Sequence, residues 1–130
     1  MIFTIAVHSP PYAASANHHA LRFCQAALQA GHNIARVFFY HEGVYTALNA
    51  QVPPQDEGDL LAQWQALSAE HDIELAVCIA NALKRGVVSV EEQARYDKAA
   101  ATLAEPFELV GLGQLIDAIA GSDRYIEFPA

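Results

Sequence analysis

Residues 73–86 read IELAVCIANALKRG and give the strongest indication of the fold. The apolar run from Ile73 to Ala80 is unbroken, which is typical of a strand covered on both faces in a parallel sheet. Cys78 lies near the end of this run, two residues before Ala80. Because chemistry gathers beyond the carboxyl ends of parallel strands, we expect Cys78 to be a nucleophilic thiol at the rim of a sheet.

Three polar residues after Cys78 are candidates to support its thiol, namely Asn81, Lys84 and Arg85. If Asn81 opens a helix, the helix N-terminus and the two cations favour the thiolate. Lys84 and Arg85 could equally be solvated helix charges, and we favour that interpretation for Lys84. A cysteine within an apolar strand is more often inert core than nucleophile, so spacing alone leaves both interpretations of Cys78 open.

Strands and helices are predicted to alternate along the chain. Strands are predicted at 2–7, 34–40, 73–80, 107–110 and around Tyr125, Ile126 and Phe128, where the polar interruptions suit a sheet edge. Helices are predicted from a cap at Ser15 to Gly31, along 60–67, along 90–103 after a capping box of Ser89 and Glu92, and from 112 to Gly121. This alternation predicts an α/β fold: a three-layer α/β/α sandwich around a mostly parallel five-stranded sheet, in one domain spanning residues 1–130.

Two connections are predicted between the second strand and the following helix. Residues 41–45 are expected to form a loop, and 47–58 an exposed connection marked by Pro53-Pro54. The second connection is long for a compact domain, so a functional role is open. One acidic residue of the run that ends at Asp59 is expected to cap the next helix.

Two cysteines in a chain of 130 residues do not make a disulfide framework, so we expect free thiols and a reducing compartment. A disulfide between Cys24 and Cys78 is not excluded by their spacing. Cys24 lies on the apolar stripe of the first predicted helix and is expected to serve packing. The N-terminal apolar run lacks a basic flank and is too short to span a bilayer, which predicts a cytoplasmic protein without a membrane partner.

Charge and spacing argue against nucleic acid, metal and cofactor. The net charge of −8 should repel polyanions, so direct nucleic-acid binding is not expected. The six histidines show none of the paired spacings of zinc motifs. Gly111 and Gly113 lack the third glycine of a phosphate loop and suit a turn between strand and helix. We therefore expect no metal and no cofactor.

Five segments of the chain resemble the DsrE/TusD family of sulfur-relay subunits. They occur in the family's order, and the similarity extends over essentially the whole chain. The most particular segments are VCIANALKRGV at 77–87 and FFYHEGVY at 38–45. The other matching segments are HNIARVFFYHEGVYTA at 32–47, LLAQWQAL at 60–67, FELVGLGQL at 107–115 and SDRYIEF at 122–128.

The resemblance implies a flavodoxin-like fold and a persulfide-carrying cysteine, which maps onto Cys78 alone. It also implies a dimer of heterotrimers with TusB/TusC-like or DsrF/DsrH-like subunits. Sulfur would arrive from a TusA-like carrier and leave to a TusE/DsrC-like acceptor. In the TusD branch the sulfur ends in 2-thiouridine at the tRNA wobble position, and in the DsrE branch it belongs to dissimilatory sulfur oxidation.

Two other classes of function stay open at the level of sequence. The chain could be a scaffold subunit whose cysteine is passive. It could also be a flavin or nucleotide binder, although that hypothesis rests on fold analogy alone.

Overall fold

In the computed structural model, which describes residues 1–129, five apolar segments pair in one parallel sheet. The strands are β1 (Ile2–Val7), β2 (Asn33–Phe39), β3 (Glu74–Cys78), β4 (Glu108–Val110) and β5 (Arg124–Phe128). Their order across the sheet is β4-β3-β2-β1-β5, and every neighbouring pair is parallel. The predicted α/β fold and the edge position of the last strand are confirmed.

Helices cover both faces of the sheet, but unequally. They are α1 (Ala16–Gln29), α2 (Leu60–His71), α3 (Ile79–Lys84), α4 (Val90–Arg95) and α5 (Leu112–Ala120), with a 3₁₀ helix at His41–Ala47. The connections from β1 through β4 all step in one direction, so right-handed crossovers put their helices on one face. The connection from β4 to β5 returns across the sheet and places α5 on the other face. The three-layer arrangement matches the prediction.

The two faces bury different side chains of the same strands. On the larger side, Val37, Phe39, Leu75 and Val77 belong to a core that also contains Trp64 of α2. On the α5 side, the alternate strand residues form a second cluster. That cluster contains Phe38, Ala76 and Cys78, with Tyr40, Val110 and Leu115 packed against it. Cys78 therefore lies beneath the face that a single short helix covers.

A buried asparagine holds the 3₁₀ helix against the large core. Asn17 of α1 is fully buried, and its Nδ2 donates to the Ser9 carbonyl oxygen at 3.0 Å and to Thr46 Oγ1 at 2.8 Å. Its Oδ1 accepts a hydrogen bond from Trp64 Nε1 at 2.9 Å. Because a buried amide is costly unless its polar atoms are paired, this network ties the 3₁₀ helix to α1, α2 and the end of β1.

The 3₁₀ helix also lies directly on the end of β1. Gly43 is buried, and its N–H donates to the Tyr40 carbonyl oxygen at 2.8 Å. A Cβ at Gly43 would overlap the carbonyl oxygen of Val7. Only glycine permits this approach of one backbone to another. The prediction of a loop at 41–45 was wrong, because the segment folds into a tight helical turn on this contact.

The helix predicted at 90–103 was wrong at its end, since α4 stops at Arg95. Ser89 caps it as predicted, with its Oγ accepting from the Glu92 N–H at 3.2 Å, but Glu92 Oε2 is buried without a hydrogen-bond partner, so the predicted capping box is only half formed. Asp97 then adopts a left-handed φ of 52°, which turns the chain out of the helix. The N–H groups of Thr102 and Leu103 both donate to the Val88 carbonyl oxygen. This part of the chain therefore folds back onto the loop that precedes α4.

Other boundaries agree closely with prediction. Helix α1 begins after Ser15, and Gly31 follows its end with a φ of 90°, although the Ser15 side chain makes no capping hydrogen bond. Asp59 caps α2 by accepting from the Ala62 N–H at 3.0 Å.

No helix in residues 1–129 combines the length and apolar character that crossing a membrane requires.

We expect Gly43→Ala to lower the free energy of unfolding by about 2 kcal/mol or more, because the new methyl group must push Val7 and the 3₁₀ helix apart. Gly113→Ala in α5 is the matched control, since a Cβ there meets no atom within 4 Å. It should leave stability unchanged or raise it by about 0.5 kcal/mol through helix propensity. Urea unfolding followed by circular dichroism measures both, and equal stabilities of the two variants would contradict the steric role of Gly43.

Candidate active site

Cys78 is the last residue of β3 and the N-cap of α3. The prediction that the strand continues to Ala80 was wrong, because Ile79 and Ala80 form the first turn of the helix. Asn81 is consequently the third residue of α3 and does not open it. The apolar run crosses the junction between strand and helix without a polar residue, so composition gave no sign of where the strand ends.

The thiol is close to the sheet edge but covered. Cys78 is 3% exposed, so the expectation of an openly accessible rim thiol is not met in the isolated chain. Tyr40 and Leu115 pack against its cluster and are only partly buried. The thiol of the isolated chain is therefore only slightly exposed to solvent.

An amide N–H is aimed at the sulfur. Asn81 Nδ2 donates to Cys78 Sγ at 3.0 Å, and both residues are buried. Arg85 Nη1 donates to Asn81 Oδ1 at 3.3 Å and to the Asn81 carbonyl oxygen at 3.2 Å. Since the guanidinium requires an acceptor, it fixes the amide with its oxygen toward Arg85 and its NH₂ group toward the sulfur. This N–H stabilises negative charge on Cys78.

Arg85 is in turn held by Glu42 of the 3₁₀ helix. Its Nε and Nη2 both donate to Glu42 Oε1, at 3.1 and 2.7 Å. The hydrogen bond to Glu42 is the main reason why the pKa of Arg85 is raised. The structure thus brings together two of the three predicted supporting residues, Asn81 and Arg85, and adds Glu42. Sequence spacing missed Glu42 because 36 residues separate it from Cys78.

Lys84 is not part of this chain of contacts. It is exposed and lines a groove with Leu83, Val88 and Tyr96 on another side of α3. The favoured interpretation of Lys84 as a solvated helix charge agrees with this position.

A pair of histidines lies at the same edge of the sheet. His8 follows β1 and His41 follows Tyr40, and their Nδ1 atoms are 3.0 Å apart. Burial lowers the pKa of His8, and His41 adds to that effect, while Glu127 opposes it. His8 is therefore neutral near neutral pH. Within the described chain, 1–129, no three His, Cys, Asp or Glu side chains converge as metal ligands.

The second cysteine has a different environment. Cys24 is fully buried in α1, and burial raises its pKa to about 12. Both cysteines are free thiols. Cys24 therefore stays protonated and packed in the core, as its position on the helix stripe predicts.

Comparison with known proteins places the chain in a family. Residues 1–128 match the DsrE/DsrF-like family. A protein of Pseudomonas aeruginosa named as a TusD sulfurtransferase homolog is 47% identical over 98% of this chain and 97% of its own. A relative from Allochromatium vinosum that carries the name DsrE is 38% identical over 98% of each chain. The crystal structure of the E. coli ychN protein superposes with a TM-score of 0.74 at 19% identity, over 98% of this chain and 97% of the other, which supports the fold.

Labelling should separate the two thiols. In the native protein we expect iodoacetamide to modify Cys78 at least about tenfold faster than Cys24, because the Asn81 N–H stabilises the Cys78 thiolate whereas burial keeps Cys24 protonated. Peptide mass spectrometry after timed quenching measures both rates, and labelling in urea supplies the unprotected reference. Equal protection of the two thiols in the native state would show that Cys78 is as sealed as Cys24.

Proposed function

The chain belongs to the DsrE/DsrF-like family, and from this premise we propose that it acts as a sulfurtransferase subunit carrying sulfur as a persulfide on Cys78. Relatives of nearly equal length that bear sulfurtransferase names support sulfur transfer in general. The observation that carries the assignment to Cys78 is the hydrogen bond from Asn81 Nδ2 to its sulfur. Cys24 has no such donor among its described hydrogen bonds, and its raised pKa opposes ionisation.

The proposed reaction has two exchanges of the same kind. The Cys78 thiolate attacks the terminal sulfur of a carrier persulfide, the carrier's S–S bond breaks, and the carrier leaves as a thiolate. An acceptor thiolate then attacks the terminal sulfur of the Cys78 persulfide, and Cys78 leaves as a thiolate. The sulfane sulfur keeps its oxidation state throughout, so no external oxidant or reductant is needed.

The environment of Cys78 suits both exchanges. A group that stabilises the thiolate helps Cys78 as nucleophile in the first exchange and as leaving group in the second. The Asn81 N–H is placed to do this. Stabilising a thiolate also makes it less nucleophilic, so the larger benefit falls on its departure.

Protein partners are inferred from the family resemblance and from the cover over the thiol. We propose a TusA-like carrier as sulfur donor, a TusE/DsrC-like acceptor, and TusB/TusC-like or DsrF/DsrH-like subunits in a dimer of heterotrimers in the cytoplasm. The 3% exposure of Cys78 is compatible with exchange between docked proteins, in which the sulfur stays away from bulk solvent. The net charge of −8 supports transfer to a protein acceptor without direct contact to tRNA.

We propose 2-thiouridine at the tRNA wobble position as the destination of the sulfur. The higher identity to a protein named as a TusD homolog, 47% against 38% for one named DsrE, favours this branch over dissimilatory sulfur oxidation. One observation favours a second candidate, a passive scaffold subunit: the low exposure of the Cys78 thiol. The two candidates differ in whether Cys78 takes up sulfur.

Sulfur loading tests the central step. After incubation with a small persulfide donor, we expect intact-protein mass spectrometry to show one added sulfur atom on the wild type. Cys24→Ala, the matched control, should gain the same sulfur, whereas Cys78→Ala should gain none, because the Asn81 N–H is directed at Cys78 and no described donor is directed at Cys24. No gain on wild type would favour the scaffold, and loading that persists in Cys78→Ala would contradict the assignment.

The destination is tested in cells. In the organism that encodes this chain, we expect its deletion to abolish 2-thiouridine in tRNA, measured by nucleoside mass spectrometry. Wild type and Cys24→Ala should restore the modification, and Cys78→Ala should not. Normal 2-thiouridine combined with impaired sulfur oxidation in the deletion strain would favour the DsrE-type alternative.

A further inference from the structure

Glu42 is connected to the Cys78 sulfur through two intervening side chains. Glu42 Oε1 accepts from Arg85 Nε and Nη2, Arg85 Nη1 donates to Asn81 Oδ1, and Asn81 Nδ2 donates to Cys78 Sγ. Each hydrogen bond in this series fixes the orientation of the side chain that makes the next hydrogen bond. The 3₁₀ helix after β2 is thereby joined to the thiol at the end of β3.

Glu42, the first residue of this series of hydrogen bonds, lies on a constrained backbone segment. Glu42 precedes Gly43, whose backbone lies against the Val7 carbonyl group. The Gly43 N–H donates a hydrogen bond to the Tyr40 carbonyl oxygen. His41, on the other side of Glu42, has a left-handed φ of 48°. The backbone around Glu42 therefore has little freedom, so a bond to its carboxylate transmits a defined position.

Arg85, the middle residue of this series, needs a strong acceptor to hold its side chain in one conformation. An arginine side chain loses substantial rotamer entropy when it is held in one conformation, and a neutral amide oxygen at 3.3 Å holds it weakly. A carboxylate that accepts two guanidinium N–H groups holds it more strongly. With Arg85 fixed, the Asn81 amide cannot exchange its oxygen and nitrogen positions without placing NH₂ against the guanidinium.

We infer that Glu42 is a positioning residue for the Cys78 thiol, acting through Arg85 and Asn81 to keep an N–H donor directed at the sulfur. The inference rests on the proposed function of Cys78, since a directed donor matters only to a reacting sulfur. Glu42 itself contacts neither the sulfur nor a substrate.

Charge alone predicts the opposite effect for Glu42. If the carboxylate merely neutralised Arg85, its removal would leave an unpaired cation near the sulfur, which would stabilise the thiolate and speed its reactions. If the carboxylate positions Arg85, its removal loosens the Asn81 donor and slows them. The sign of the change therefore separates the two effects.

The experiment measures the rate of iodoacetamide alkylation at Cys78 in the full chain by peptide mass spectrometry. We expect Glu42→Ala to slow alkylation by about three- to tenfold near neutral pH, the scale of one typical net hydrogen bond, because the Asn81 donor is loosened but not removed. Glu42→Gln keeps an acceptor for Arg85 and should recover part of the rate. Glu74→Ala is the matched control, because it removes the carboxylate of the Arg36–Glu74 ion pair at the other end of β3.

The dependence on pH distinguishes positioning from a change in access. Loss of a donor to the thiolate should slow Glu42→Ala most at neutral pH and least at alkaline pH, where the thiolate forms without help. A change that is equal at all pH values would indicate altered access and would overturn the inference. A rate in Glu42→Ala that equals that of Glu74→Ala, or exceeds that of wild type, would also overturn it.

A second variant tests the same series of hydrogen bonds at Asn81, the residue that donates to the sulfur. Asn81→Asp keeps an oxygen acceptor for Arg85 but has no N–H to donate and adds negative charge beside the sulfur. It should slow alkylation more than Glu42→Ala while the melting temperature is retained, and an unchanged rate would overturn the inference. Because alkylation needs no sulfur donor, wild type that takes up no persulfide sulfur would contradict the proposed function and leave this comparison valid.

Discussion

The parallel alignment of β1, β2 and β3 is the constraint on which the site depends. Their register pairs Val7 with Phe39 and Phe39 with Val77, so all three strands end at one edge. The segments that leave these strands are therefore adjacent in space, whatever their separation in sequence. This is why Tyr40 packs against the Cys78 cluster and why the 3₁₀ helix after β2 can reach the helix after β3.

The close approach of Gly43 to Val7 fixes the position of the 3₁₀ helix relative to the end of β1. A bulkier residue would hold the 3₁₀ helix away from the sheet edge, and the Glu42 carboxylate would move with it. On the side of the large core, Asn17 holds the same segment through Thr46. Backbone contact on one side and a buried amide on the other therefore fix a segment that composition alone identifies only as a loop.

The sequence predicted the parts of the structure that depend on local pattern. Apolar runs located the strands, and Cys78 was proposed as the nucleophile because it lies near the end of one of them. The end of β3 was misplaced because Ile79 is as apolar in the first turn of α3 as it would be in a strand. The early end of α4 depends on the backbone of Asp97, and the role of Glu42 depends on strand register. Neither has a local signature.

Burial of Cys78 is compatible with its proposed reactivity, because the thiol lies beside a hydrogen-bond donor. Cys24 shows the alternative: burial without a donor raises its pKa to about 12 and leaves it inert. At Cys78 the Asn81 N–H is placed to replace part of the solvation that water would give a thiolate. Low exposure suits the proposed relay between its two exchanges, because an open persulfide would lose its sulfur to thiols in solution.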